Sequence, residues 1–138
     1  MAVGFNPPGQ AAPAEPCSRG VWVPEGARLK IAGTVAFDAQ GQVVGKGDMA
    51  AQTRQVMANI KAVLDCAGGT LDDIVSMVVY VTSLDDCAAI HAVRREFLKP
   101  PYPTSTLVQV NALVHPDLMI EIECEASIPT WRARRPKH

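Results

Sequence analysis

The sequence predicts a two-layer α+β domain, a mixed β-sheet with two amphipathic helices on one face. Three observations carry that prediction. From Met49 to Ala67, and again through Ile90, Val93 and Phe97, apolar residues recur at the three- and four-residue spacing of a helix with one buried side. Between these stretches, residues 74–82 are nearly continuous in β-branched and aromatic side chains, the composition of a central strand. Near the C-terminus, Leu118, Ile120, Ile122 and Cys124 alternate with Met119, Glu121, Glu123 and Glu125, the two-residue period of a strand with one face in the core.

Residues 1–16 carry Pro7, Pro8, Pro13 and Pro16 with Gly4 and Gly9, so they neither continue a helix nor enter a central strand. They read as an arm over the domain surface. Residues 20–23 and 28–35 are apolar runs separated by the turn-like Pro24-Glu25-Gly26, which predicts a first antiparallel pair. A turn over residues 37–42 leads to a short strand at Val43-Val44. The first helix is predicted over about 19 residues, with Asp48 as its cap, Gly68-Gly69 as its stop, and Met49, Val56, Met57, Ile60, Val63, Leu64 and Ala67 on its buried side. Ser83-Leu84-Asp85-Asp86 supplies a capping signature for the second helix, and Pro100-Pro101 ends it. Two closing strands, residues 104–113 and 118–126, are joined through His115-Pro116-Asp117 and followed by a basic tail, residues 129–138. The sheet face opposite the helices needs cover. A small domain of this kind commonly buries such a face against copies of itself, so a cyclic homo-oligomer is expected.

At 138 residues the chain is the size of one domain. Lys and Arg total 13 against 14 Asp and Glu, a net charge of −1 that exerts no long-range pull on nucleic acid or an anionic membrane. No apolar run approaches the roughly 20 residues of a membrane span, and the N-terminus lacks a basic segment followed by an apolar one, so a cytoplasmic protein is expected. The four cysteines, Cys17, Cys66, Cys87 and Cys124, are scattered, without paired spacing or partnered histidines. Neither a metal site, nor a cofactor, nor a disulfide framework is expected.

Three acids, Glu121, Glu123 and Glu125, project from one face of the last strand. Carboxylates so spaced repel one another and are normally left in water. The functional reading of one of them is a cleft-side carboxylate that handles a proton. Cys66 and Cys124 fall on apolar faces and belong to the core, and Cys87 packs at the start of the second helix. His91, next to Ile90, borders the seam between helix and sheet, whereas His115 sits in a solvent-exposed turn. Trp131-Arg132-Ala133-Arg134-Arg135-Pro136-Lys137-His138 reads as a solvated basic end, and nucleic acid is not expected as a partner.

Several strings together resemble the RidA/YjgF family, also called UK114 and L-PSP, over roughly residues 14–128. They are Ile31-Ala32-Gly33-Thr34; Ala51-Gln52-Thr53-Arg54-Gln55-Val56-Met57-Ala58-Asn59-Ile60; Ala67-Gly68-Gly69-Thr70-Leu71-Asp72-Asp73-Ile74-Val75; and Ile120-Glu121-Ile122-Glu123. The resemblance implies a chorismate-mutase-like fold and a homotrimer around a central β-barrel, with three clefts between neighbouring subunits. It also implies hydrolysis of reactive enamines and imines, such as 2-aminoacrylate and its imine tautomer, to a keto acid and ammonia. In that chemistry an arginine early in the first closing strand binds the substrate carboxylate. Backbone groups beside a glycine line the pocket, and a glutamate on the last strand helps to place a water.

On this resemblance Glu121 falls on the glutamate, and Gly33, preceded by Ala32, on the pocket glycine. The arginine's place is taken by Ser105, flanked by Thr104 and Thr106, and the cysteine often found two residues on is Leu107. Cys17, after Pro16, stands for an aromatic residue, and His91 for an asparagine of the second helix. The segment between Leu113 and Ile120 is one residue longer than the archetype. The chain is thus similar to divergent members. Its expected catalytic residues are Glu121 and Cys17; its expected substrate-binding residues are Ala32, Gly33, His91, Ser105 and Thr106.

Hydrolysis of a protonated imine needs a placed water, a carboxylate to take its proton and a wall to hold the substrate. Glu121 can take the proton and stabilise the iminium charge. Cys17 can act only if a nearby cation favours its thiolate; buried and unreactive is the alternative. With Ser105 in place of arginine a charged hydrogen bond is lost, and neutral hydroxyls of Ser105 and Thr106 remain unless Arg19 or Arg54 of another subunit compensates. Three functions stay open: a trimeric hydrolase or deaminase of small enamines and imines, a non-catalytic trimer that binds or senses a small metabolite, and a catabolic deaminase for a larger, aromatic-derived imine.

Overall fold

A computed structural model describes residues 2–135. In chain order the elements are β1 (Val3–Phe5), β2 (Gly20–Trp22), β3 (Ala27–Val35), α1 (Met49–Ala67), a single 3-10 turn (Leu71–Asp73), β4 (Ile74–Val81), α2 (Cys87–Phe97), β5 (Thr104–Gln109) and β6 (Ile120–Ile128). The main sheet runs β3-β6-β4-β5, with β4 and β5 parallel and the other neighbours antiparallel. α1 and α2 pack on it, and Val56, Met57, Ile60, Leu64 and Ile90 interdigitate with Met77, Val79, Ile120, Ile122 and Cys124 in one core. This is the α+β architecture that the alternating periods predict, with β4 in the sheet's interior.

Helix α1 follows its sequence signals. The Asp48 carboxylate accepts the Ala51 amide at 3.0 Å, and Gly68, at φ 79°, lets its own N–H turn back to the Asp65 carbonyl. Asp48→Ala is expected to lower stability by about 1 kcal/mol, read as a shift of the urea midpoint without a change in slope. The buried stripe differs in three places, one of them Thr53, which is buried with its hydroxyl donating to the Met49 carbonyl. Val63 is 40% exposed, whereas Gln52 is fully buried because its amide bridges the carbonyls of Gly45 and Asp117 and accepts the Met119 amide. Gln52 therefore pins the turn that precedes β6.

Other expectations are corrected. Residues 20–23 do not pair with 28–35: β2 pairs with β1, and β3 lies along β6. β2 is three residues long, so a local hairpin offers a short ladder, while β6 offers the nine-residue β3 an apolar register through Cys124 and Ala126. The arm accordingly contributes a strand, in a separate two-stranded sheet. Val43 forms only an isolated bridge with Phe37. The Ser83 hydroxyl accepts the Asp85 amide in a local turn, and α2 starts at Cys87 after an Asp86 that makes no side-chain cap. The first closing strand stops at Gln109, and β4 separates it from β6. Cys66 is exposed, because it sits off the stripe of α1.

Nor is the basic tail simply solvated. Arg132 donates to both carboxylate oxygens of the buried Asp73, at 2.9 and 3.0 Å, and to the Gly68 carbonyl. Residues 136–138 of that tail lie outside the described residues.

Candidate active site

Alternation along β6 separates two faces. Ile120, Ile122 and Cys124 turn into the core, and Glu121, Glu123 and Glu125 line the opposite, helix-free face. Their surroundings differ. Glu125 is bound by Arg28 at 2.7 Å and faces Lys30 at 3.4 Å, contacts that hold its carboxyl below the usual carboxylate range. Glu123 accepts a short hydrogen bond from the Tyr80 phenol, which raises the phenol above its usual pKa. Among the described residues, Glu121 receives no side-chain hydrogen bond or ion pair.

Glu121 faces a bulge. The register of β3 against β6 shifts by one residue between Ile31 and Thr34, so Ala32 and Gly33 together stand opposite Glu123, and Gly33 lies directly against the Glu121 carboxylate. A Cβ at position 33 would collide with Oε2 and stand 2.9 Å from Cδ. Glycine thus leaves room for the carboxylate to lie where it does; a side chain there would push it aside. Gly33, Tyr80, Glu121, Glu123 and the 110–114 segment surround an open recess of about 370 Å³.

The other predicted residues collect elsewhere. Ser105 pairs with Met77 on β4, whereas Glu121 pairs with Tyr80. Met77 and Tyr80 are three residues apart, so Ser105 faces α2 and Glu121 faces away. Thr106, opposite Val78, shares the helix-free face with Glu121 but lies exposed on the edge strand. Cys17 and His91 group with Ser105. A crevice of about 320 Å³ between arm, α2 and β5 is lined by Pro13, Glu15, Arg19, Cys87, His91 and Leu107. One chain therefore holds the predicted residues in two groups, Ala32/Gly33/Glu121 and Cys17/His91/Ser105, on different faces.

Beside the second group lies a residue that sequence reasoning missed. Arg94 projects inward from α2 with a fully buried side chain; its Nη2 donates to Ser105 Oγ at 2.8 Å, and its Nη1 stands 3.8 Å from the Glu15 carboxylate. Burial depresses its pKa, with Glu15 opposing that shift. The arm is strapped beside it by Arg95 to the Ala14 carbonyl, by the Ser18 amide to the Pro103 carbonyl and by the Ser18 hydroxyl to the Tyr102 carbonyl.

Arg94 also bears on Cys17. Burial and the Glu15 carboxylate push the Cys17 thiol up, outweighing the pull of Arg94 and Arg19. Of the two readings of Cys17, the buried, neutral thiol is the one these surroundings favour over the thiolate. Burial and the nearby Arg94 charge lower the His91 pKa, which keeps its imidazole neutral. Arg54, a candidate to compensate for Ser105, is committed to Glu96 through Nε and Nη2 at 3.0 and 2.9 Å. His115, expected in open solvent, is half-buried: its Nδ1 accepts the Asp117 amide and its ring meets Phe37 edge-on.

The sequence matches the family described as Endoribonuclease L-PSP over residues 9–128. It is 39% identical over 98 residues to a RutC family protein of Pyrococcus horikoshii, a match spanning 71% of this chain and 77% of that protein. Among solved structures, YyfB of Yersinia pestis, described as a Rid family protein of unknown function, superposes with a TM-score of 0.84 at 38% identity, covering 92% of this chain and 98% of that one. RidA of an Antarctic Psychrobacter superposes with a TM-score of 0.69 at 35% identity, covering 85% and 92%.

Proposed function

Because the chain belongs to the RidA/YjgF/L-PSP family, we propose that it hydrolyses small reactive enamines and imines, with Glu121 placing the attacking water, in clefts between the subunits of a homotrimer. The observation that carries this reading is the isolation of Glu121. Its two neighbours in the acid row are occupied by Tyr80 and by Arg28 with Lys30, and among the described residues no side chain pairs with Glu121 beside its glycine-lined recess.

For a 2-imino acid the chemistry runs as follows. Glu121 accepts a proton as water adds to the protonated C=N carbon, which gives a carbinolamine. It returns that proton to the nitrogen, the C–N bond breaks with its electron pair leaving on ammonia, and Glu121 takes the hydroxyl proton as the carbonyl forms and passes it to the ammonia. The net reaction is iminium plus water to keto acid plus ammonium. The placement of these residues supports an assembly of copies: with Ser105 and Glu121 on opposite faces of one sheet, a cleft that uses both takes a neighbour's helix-free face against the β5 edge. Cys17 and His91 then act as uncharged walls, Ala32 and Gly33 offer backbone groups, and Thr106 offers a hydroxyl at the edge. Ribonuclease activity, which the family description names, has little support in a chain of net charge −1 whose His91 and His115 have separate surroundings.

The test is to generate 2-aminoacrylate enzymatically and follow ammonia and pyruvate. The expected result is release well above the buffer rate, abolished in Glu121→Ala, from a protein that sediments at three times the mass of one chain. No acceleration over buffer on a panel of small and bulky imines, or full turnover by a monomer, would overturn it.

A further inference from the structure

Among the described residues, the buried side-chain nitrogen and oxygen atoms without a hydrogen-bond partner are Glu15 Oε2, His91 Nδ1, and Arg94 Nε and Nη1. All four lie in one cluster, at the crevice between arm and α2. Unmet hydrogen bonds on a buried charge are costly, so their concentration in one place asks for a function.

The other arginine–carboxylate pairs among the described residues close to hydrogen-bond distance. Arg132 meets Asp73 at 2.9 and 3.0 Å, and Arg54 meets Glu96 at 3.0 and 2.9 Å. Arg94 and Glu15 stop at 3.8 Å, beyond hydrogen bonding, although the Arg94 side chain is 0% exposed and Glu15 only 27%. Ser105 adds a directional element. Its Oγ accepts from Arg94 Nη2, so its own proton is free to point to another acceptor, with the guanidinium charge behind it.

We propose that Arg94 and Ser105 form the binding site for the carboxylate of a small 2-oxo or 2-imino acid, and that Glu15 occupies the guanidinium until that carboxylate displaces it. This rests on the cleft reading above and deepens it. The positive charge absent from position 105 is delivered from α2, one layer below the strand. Glu15, partly exposed on the arm, can swing outward as the ligand's carboxylate takes the Nη1 protons and the Ser105 hydroxyl. Affinity is then set by competition between an internal and an external carboxylate.

The test is calorimetric titration of the full chain with pyruvate, the keto acid that 2-aminoacrylate yields, and with its neutral amide. Pyruvate is expected to bind at least about tenfold more tightly than the amide, the difference typical of a charged hydrogen bond. In Glu15→Gln, pyruvate binding is expected to tighten several-fold with the amide unchanged, an outcome that a structural ion pair would not produce. In Arg94→Met, checked for folding by its thermal transition, the preference for pyruvate is expected to vanish. Equal binding of pyruvate and amide to the native protein, or weaker or unchanged pyruvate binding in Glu15→Gln, overturns the proposal. Glu121-dependent ammonia release is read separately. Its failure alongside the expected titrations removes the catalytic reading and leaves this site standing.

Discussion

Glu121→Gln is expected to lower the catalysed hydrolysis by about 10²- to 10³-fold, within the range contributed by a positioned general base, while the unfolding midpoint stays within error of the native protein. The substitution keeps shape and hydrogen-bonding reach and removes only the capacity to take a proton. No stabilising partner is lost, because no side chain among the described residues pairs with Glu121. Glu123→Gln serves as the contrast. That carboxylate is engaged by the Tyr80 phenol, and its replacement is expected to leave turnover within a few-fold of native. Gly33→Ala should resemble Glu121→Gln without touching the acid, since the new methyl would occupy the space of the Glu121 carboxylate and drive it from the recess. Steady-state rates for these three variants decide the matter: a Glu121→Gln enzyme within threefold of native would mean that position 121 does not handle the proton.

Asp73→Ala is expected to be among the most destabilising substitutions of a polar residue, at about 3 kcal/mol, the lower end of the cost of breaking a buried ion pair. Asp73 is 1% exposed and accepts three strong donors: the Thr70 amide at 2.8 Å and two N–H groups of Arg132 at 2.9 and 3.0 Å. Its loss would leave the Thr70 amide without its acceptor and release the 129–135 segment from the start of β4. The pH dependence has a definite sign. Burial alone would raise the Asp73 carboxyl, but the Arg132 hydrogen bonds and the Thr70 amide outweigh it and hold the group below its ordinary 3.8. A carboxylate depressed in the folded state contributes stability that is complete above the unfolded value and is lost as pH falls through the folded one. In urea unfolding, the gap between native and Asp73→Ala should be constant from about pH 7 to 5 and narrow below about pH 4. A gap that widens on acidification would contradict this account.

The elements were legible where physical signals are local. The periods of α1 and β6, the Asp48 cap and the Gly68 stop depend on neighbours within a few residues, and each occurs as the sequence predicts. Glu121 and Gly33 were legible as candidates through the strings that carry them. Partnership was not. The β3 ladder lies with a strand far along the chain, and the Pro24-Glu25-Gly26 turn gave no sign of it. A buried polar group was legible in position but not in type: Arg94 falls on the stripe of Ile90, Val93 and Phe97, four residues after Ile90, and Gln52 on that of Met49 and Val56, yet an arginine or glutamine by type reads as a solvent-facing residue. Arg132, in a basic tail without such a period, carried no signal of its buried partner.

By itself, then, the sequence determined the two helices, the four strands of the main sheet, the helix-free acid face and the family, because backbone propensity, side-chain period and motif spacing are properties of contiguous residues. Tertiary structure alone decided which of the three acids stays unpaired and that Ser105 and Glu121 occupy opposite faces of one sheet. It also decided that an arginine of α2 sits beneath Ser105. Those facts depend on register between distant strands and on burial, where a charge's energy is set by what the fold brings to it rather than by its neighbours in the chain.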